Sequence, residues 1–349
     1  MVLKLTVFPD NLRHNYRLMR QFRPKSEIAA VVKANAYGLG LANVVPALLS
    51  AGCRTFFVNR IDEGIAVRRL TADARVFVLD AFIGNDAPAD YAARNLIPVF
   101  STIEALARFS DEQNIAVRLD TGFNLAGIDA FDERAVLTAL QGRKVAFLMS
   151  HLACAEQAEN PKNKRQLELF SKYAALFPDA EKSLSASFGA ALGEEYCFDV
   201  IRAGAALYGA DVPPNTKATA KLTARVGWIK QYDAGESLGY NDEFVLSKPT
   251  LAATILAGSG DGIVHKEGCF VDFRGTLLPV LTAPATNYLP VDASAVAGKI
   301  KVGDEVDLFN ENYTPDKLAV DAGMHVGADA LIRLNIFQPY CQSDCFPVS

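Results

Sequence analysis

Apolar residues recur at two different periods along this chain, and the switch between them marks out its elements. Leu12, Tyr16, Met19 and Phe22 fall three or four apart behind Pro9-Asp10, which predicts a helix with one buried face, Asp10 as its N-cap and Pro24 as its limit. The run 28–32 is apolar at every position, the mark of a strand covered on both faces, and it ends directly at Lys33. Apolar runs at 54–58, 76–79, 97–100, 116–119 and 145–149 follow, interleaved with amphipathic stretches at 44–49, 62–70, 134–140 and 166–177. Strands alternating with helices at this spacing pair in parallel through helical crossovers. About eight such units fit between residues 28 and 210, so the expected fold is α/β with an N-terminal (β/α)8 barrel.

From residue 222 the texture changes. Short β-rich segments at 224–231, 250–256, 269–273, 277–281 and 305–309 are separated by Gly, Asp, Asn or Pro, which predicts a C-terminal, mainly antiparallel β domain. Asp211-Val212-Pro213-Pro214-Asn215 breaks the periodicity, so the expected division is a barrel over 1–215 and a β domain over 216–349.

Composition narrows the class. With 349 residues, 50% hydrophobic, 21% charged and a net charge of −5, the chain can bury a large core and is neither disordered nor fibrous. Lys and Arg form no basic stripe, which argues against a nucleic-acid role. Residues 1–8 lack an apolar run behind a basic start, and no stretch approaches a membrane span of about 18 apolar residues. The expected compartment is the cytoplasm, with no membrane partner. Six dispersed cysteines read as reduced thiols, and the Cys341/Cys345 pair has no companion Cys or His, so no metal is expected.

Lys33 is the first candidate for chemistry. At the C-terminal end of a barrel strand it stands where catalytic groups collect. Apolar walls disfavour its charged form, which lowers its pKa and makes a Schiff base with an aldehyde accessible. The glycines that follow do not form a nucleotide loop: no Gly-Lys-Ser/Thr is present, and Asn43 stands where a third glycine would follow Gly38 and Gly40.

The segment Val31-Val32-Lys33-Ala34-Asn35-Ala36-Tyr37-Gly38-Leu39-Gly40 resembles the pyridoxal-phosphate signature of alanine racemases almost letter for letter. Similarity continues in order along nearly the whole chain. The resemblance implies pyridoxal 5'-phosphate joined to Lys33, which also acts as the base on one face, and Tyr37 donating its hydroxyl to the phosphate. Asp120-Thr121-Gly122-Phe123-Asn124 and Ser150-His151-Leu152-Ala153 resemble two further strand ends of that family, His151 lying near the pyridine ring. Ser187 falls on the phosphate-binding serine, with Ala186 where the family usually has Asn. The match at 201–209 implies that Arg202 faces the pyridine nitrogen, keeping it unprotonated and the cofactor a weaker electron sink, while the Gly204 and Ala205 amides face the phosphate.

The substrate side departs from the pattern. Gly235-Glu236-Ser237-Leu238-Gly239-Tyr240-Asn241 follows it, bringing Tyr240 to the pocket, but Ser259 occupies the place of the tyrosine that is the base on the opposite face. A serine hydroxyl is a weaker acid and shorter than tyrosine. Leu125, after Asn124, stands where an arginine binds the substrate carboxylate, a charge-assisted contact worth roughly 1.5–3 kcal/mol. Thr286 and Asn287 take the Met and Asp positions, and Ala328 that of a tyrosine. His265 and Lys266 are candidates for a replacement base, the alternative being a solvated turn.

The implied activity is racemisation or epimerisation of a small amino acid, alanine or a relative, by a head-to-tail homodimer in which the β domain of one copy completes the barrel mouth of the other. Two alternatives remain at this point. One is a one-base enzyme of the same fold catalysing aldol cleavage, elimination or transamination, and the other is a cofactor-holding protein without turnover.

Overall fold

The computed structural model describes residues 2–82, 86–108, 115–242, 244–325 and 327–334. The tail cysteines Cys341 and Cys345 lie outside these residues. After a first strand, β1 (Leu3–Val7), and a helix over Pro9–Phe22, nine short strands carry the N-terminal part. They are β2 (Glu27–Val31), β3 (Thr55–Val58), β4 (Arg75–Val78), β5 (Ile97–Phe100), β6 (Ile115–Asp120), the two-residue β7 (Ile128–Asp129), β8 (Val145–Met149), β9 (Glu181–Ser183) and β10 (Val200–Ala203). Eight of them run in the order β10-β2-β3-β4-β5-β6-β8-β9, β7 pairing on the side of β6, and every pair is parallel. A parallel bridge between Ala186 and Arg202 joins the end after β9 to β10 and closes the ring. This is the expected (β/α)8 barrel.

The apolar runs are continuous because both faces of each strand are covered. Ala29, Val31, Phe57, Phe77, Ala116, Phe147 and Met149 point inward as one cluster, while their neighbours Ile28, Ala30, Phe56, Val58, Val76 and Val78 pack outward under the helices. Inside the ring, Phe77 stacks on Phe57 and tilts against Phe147, each at 4.7 Å between centroids. The barrel is therefore filled, and its chemistry is confined to the rims.

The C-terminal part is built on β11 (Ala220–Tyr232), followed by the small hairpin β12 (Ser237–Leu238) and β13 (Phe244–Val245), then β14 (Thr250–Ile255), β15 (Phe270–Phe273), β16 (Thr276–Pro279), β17 (Leu289–Asp292) and β18 (Glu305–Phe309). Its main sheet, ordered β16-β15-β18-β11-β14-β17, is antiparallel throughout. β1 also pairs with β11, Leu3 opposite Ala224 and Val7 opposite Ala220, so the chain begins in this sheet before entering the barrel.

One local expectation is corrected. Asp10 is not the N-cap of the first helix: Phe8 holds that position, and Pro9 opens the helix because its missing N–H costs nothing there. Asp10 sits in the first turn and pairs with Arg13 at 2.6 Å. Among the described residues, no helix is long and apolar enough to cross a membrane, and no cluster of three or more His, Cys, Asp or Glu side chains could hold a metal ion.

Candidate active site

Lys33 leaves the C-terminal end of β2 in an unusual turn. Ala34, Asn35, Ala36 and Tyr37 all have φ between 52° and 56°, a left-handed winding that L-residues adopt at a cost of roughly 1–2 kcal/mol each. Such a turn persists only where its surroundings over-determine it. Buried Glu63 does so: its carboxylate accepts the Ala34 amide at 2.6 Å, the Asn59 amide at 2.8 Å and the Arg60 amide at 3.2 Å. The winding carries Tyr37 back over the segment that follows β10, where its ring packs on Tyr208 at 4.5 Å. Burial and the charge of Arg118 lower the pKa of Lys33, with Asp80 and Glu63 opposing.

Tyr37, Ser187 and the segment after β10 form a small polar cup. Ser187 Oγ accepts the amides of Gly204 and Ala206, each at 3.1 Å. A Cβ on residue 204 would stand 2.7 Å from the Tyr37 hydroxyl, so only glycine lets the tyrosine close over this backbone. Burial raises the Tyr37 pKa, so the hydroxyl keeps its proton and can donate it.

Arg202 and His151 form the adjoining wall. The Arg202 guanidinium is buried and donates to Ser183 O at 2.9 Å, Ser183 Oγ at 2.6 Å and Ser150 O at 2.7 Å, with His151 Nδ1 at 3.3 Å. Arginine keeps its proton, so Nδ1 accepts and the imidazole carries its hydrogen on Nε2. Burial first, then the charges of Arg202, Arg118 and Lys33, push His151 down to about 3, so it is neutral near pH 7. Gln166 holds this wall from outside, accepting the Ala153 amide at 2.8 Å and donating to His151 O at 2.9 Å.

These groups line one cavity of about 330 Å3 at the C-terminal ends of the strands, with Lys33, Tyr37, His151, Ser187, Arg202, Gly204 and Ala205 on its walls. Ala328 reaches it from the helix Gly327–Leu334. A larger hollow of about 940 Å3 at the opposite rim is lined by Arg75, Glu27 and Glu181 among others, and Arg75 pairs with both acids. In such barrels active sites gather at the C-terminal rim, where Lys33 stands, and the opposite rim serves stability.

The remaining candidates lie elsewhere within one chain. Asn124 and Leu125 are exposed on a turn that Asp120 caps through the Gly122 and Asn124 amides, and neither lines the cavity. Ser259, Thr286 and Asn287 are exposed together on the C-terminal sheet, where Ser259 Oγ donates to Ala285 O at 3.4 Å and the Gly260 amide to Thr286 O at 2.8 Å. Ala285 borders a second hollow of about 620 Å3, walled by Trp228, Tyr240 and Tyr288. His265 is neither a solvated residue nor an available base. It is 2% exposed, bonds Leu308 O through Nε2 at 2.9 Å, and is pushed down to about 4 by burial within the sheet.

Similarity to known proteins follows the same two parts. The family profile described as alanine racemase, N-terminal domain, matches residues 7–212, and that of the C-terminal domain matches residues 219–330. The chain belongs to the alanine racemase family. It is 36% identical to the catabolic alanine racemase of Agrobacterium fabrum, over 91% of this chain and 87% of the relative. The biosynthetic alanine racemase of the same organism is 33% identical over 96% of this chain and 92% of its own. The crystal structure of alanine racemase from Bartonella henselae with covalently bound pyridoxal phosphate aligns with a TM-score of 0.87 at 30% identity, covering 96% of this chain and 97% of that one.

The cavity of this alanine racemase family member fits such a cofactor. An amine of lowered pKa suits an aldehyde, and a cup of two hydroxyls beside backbone amides suits a phosphate. Two parts of the site escaped the sequence reading: Glu63, whose helical position gave no hint that it reaches back to Ala34, and Arg118, an inward position of β6 on the same face as Ala116. The alternation of β6 alone carried a signal for Arg118.

Proposed function

We propose that this chain is a pyridoxal-phosphate-dependent alanine racemase that works as a head-to-tail homodimer. The observation that carries the reading is the joining, in one cavity of about 330 Å3, of a lysine of lowered pKa and a hydroxyl-and-amide cup. Tyr37, Ser187, Gly204 and Ala205 would hold the phosphate, and His151 and Arg202 would border the ring. When bound, pyridoxal phosphate supplies an aldehyde for the substrate amine and a conjugated ring that takes up the electron pair left as the α-hydrogen departs. Lys33 Nζ takes or returns that hydrogen as a proton on one face, its lowered pKa suiting it to a base near neutral pH. Arg202, already a donor to Ser183 and Ser150, has no proton to give up to a ring nitrogen.

Exchange on the opposite face needs a second proton donor, and a second copy supplies it through Ser259, beside Thr286. Exposed Trp228, Tyr240 and Tyr288 near Ser259 support association, since aromatic surface of this kind is enriched in the buried centre of interfaces. Free thiols at Cys53, Cys154, Cys197 and Cys269 support work in the reducing cytoplasm.

The test is chiral analysis of L-alanine incubated with the cofactor-loaded protein, alongside sedimentation. D-alanine should form, Lys33→Ala should abolish it, and the species should have twice the chain mass. Loaded protein that leaves L-alanine unchanged, or an active monomer, rules the respective part out.

A further inference from the structure

Arg118 enters the cavity as a charge without a carboxylate partner, its guanidinium 5.9 Å from the centroid of the Phe123 ring. It projects from β6, on the inward face that Ala116 shares, and lines the mouth with Lys33, Asn59, Phe123 and His151. In the strand order β6 stands four places from β2, so Arg118 faces Lys33 across the ring. Its Nε is buried and has no hydrogen-bond partner, and among the described residues no carboxylate lies within ion-pair distance of its guanidinium. The two acids that act on its charge, Asp80 and Asp120, are otherwise engaged. Asp120 spends its oxygens on the Gly122 and Asn124 amides at 2.8 and 2.9 Å, and Asp80 accepts the Asn59 side-chain amide.

A largely buried guanidinium that faces only an aromatic ring is costly unless an anion completes it. Of the other nitrogen groups at this mouth, Arg202 spends its donors on backbone and serine oxygens, His151 is neutral, and Lys33 is the amine, while the two acids that line the cavity, Glu156 and Asp329, repel a carboxylate rather than bind it. Leu125, at 80% exposed, reaches no ligand in this cavity.

We infer that Arg118 binds the α-carboxylate of the amino-acid substrate, in place of an arginine on the Asp120–Leu125 turn. The inference rests on the proposed function for the identity of the substrate, and its geometry stands on this chain alone. A planar guanidinium offers adjacent N–H groups to both carboxylate oxygens, which orients the substrate as well as attracting it. The α-carbon is then held between Arg118 on one side of the ring and Lys33 on the other. After burial, the same charge is the next cause lowering the Lys33 pKa, so the residue that anchors the substrate also acts on the lysine.

The experiment uses the cofactor-loaded protein and propionate, which has the carbon skeleton and carboxylate of alanine without the amine. Propionate binding is followed by ligand-observed NMR in wild type, Arg118→Met and Arg118→Lys, with cofactor content measured in each. Arg118→Met should weaken propionate, and raise KM for alanine, by about 10- to 100-fold while cofactor content stays at the wild-type level. Arg118→Lys, which keeps the charge without the fork, should recover part of the loss and guards against a folding defect in the methionine variant. Undiminished propionate binding in Arg118→Met overturns the inference, as does loss of cofactor from both variants, which would assign the guanidinium to the cofactor instead. Propionate binding needs no turnover. A wild type that binds propionate through Arg118 but does not racemise alanine defeats the functional reading and leaves this one standing.

Discussion

The carboxylate of Glu63 accepts the Ala34 amide at 2.6 Å and the Asn59 amide at 2.8 Å, tying the left-handed turn of Lys33 to the end of the next strand. Glu63→Ala leaves these amides and that of Arg60 without an acceptor, at about 1–3 kcal/mol for each that stays buried. Urea unfolding should show a loss of more than about 2 kcal/mol, and cofactor should leak on dialysis. Glu63→Gln, which keeps one carbonyl oxygen, should lose less. An alanine variant as stable as wild type would mean the turn holds itself.

Gly204 and Tyr37 meet too closely for any side chain at 204. Gly204→Ala puts a Cβ at 2.7 Å from the tyrosine hydroxyl, and overpacking of this kind costs about 1–3 kcal/mol. Tyr37 should yield, because the backbone of β10 is fixed by its neighbours. Cofactor titration followed by tyrosine or cofactor fluorescence should show at least about tenfold weaker binding. Unchanged affinity would show that Tyr37 does not hold the phosphate.

Partly buried His151 and buried His265 contribute to the acid sensitivity of the fold. His151 is pushed down to about 3 and His265 to about 4, so the folded chain keeps both neutral while the unfolded chain protonates them near 6.5. Their contribution is complete above pH 6.5 and is lost as pH falls through the interval towards 4 and then 3, at no more than about 1.4 kcal/mol per pH unit for each. Urea midpoints should therefore drop from pH 7 to pH 5. His265→Gln, which keeps a donor for Leu308 O, should flatten the drop by about half. An unaltered slope would place the acid sensitivity elsewhere.

Ser259 is exposed, and its hydroxyl makes a single long bond, to Ala285 O at 3.4 Å. Nothing there activates it as a proton donor. A tyrosine hydroxyl has a pKa near 10, and a positioned acid–base group contributes about 10²–10⁴-fold. Ser259→Tyr should raise kcat for alanine racemisation within that range and leave cofactor affinity unchanged. Wild type already faster than the tyrosine variant, with Ser259→Ala inactive, would mean the serine is activated by a neighbour in the assembled dimer.

Much of this arrangement could be read from the chain because it rests on local patterns. Strands covered on both faces must be apolar throughout, so the run ending at Lys33 and its counterparts near Phe57, Phe77 and Phe147 announced a parallel barrel. The β-rich texture after residue 222 announced the antiparallel sheet for a similar reason. What stayed hidden depends on contacts far apart in sequence. Pairing of Leu3–Val7 with the strand at Ala220 joins the two ends of the barrel segment, and no local period encodes it. The left-handed turn at Ala34 is imposed by Glu63, 29 residues on, against the preference of its own residues. His265 read as a turn residue because its neighbours Lys266 and Glu267 are polar, yet its ring is enclosed between Leu308 and Tyr313. Arg118 was passed over as one charge in an apolar strand, which is the very oddity that makes it informative.

In the proposed reaction a proton is exchanged with Lys33 on one face of the substrate and with a second group on the other. Incubating the cofactor-loaded protein with L-alanine in heavy water, and following deuterium at the α-carbon together with chirality, tests this most directly. Newly formed D-alanine should carry deuterium from the first turnovers, while recovered L-alanine gains it more slowly, because the hydrogen taken on one face is not the one returned on the other. Deuterium entering L-alanine with no D-alanine formed would rule out two-face exchange, since it would show Lys33 serving as the only base on a single face.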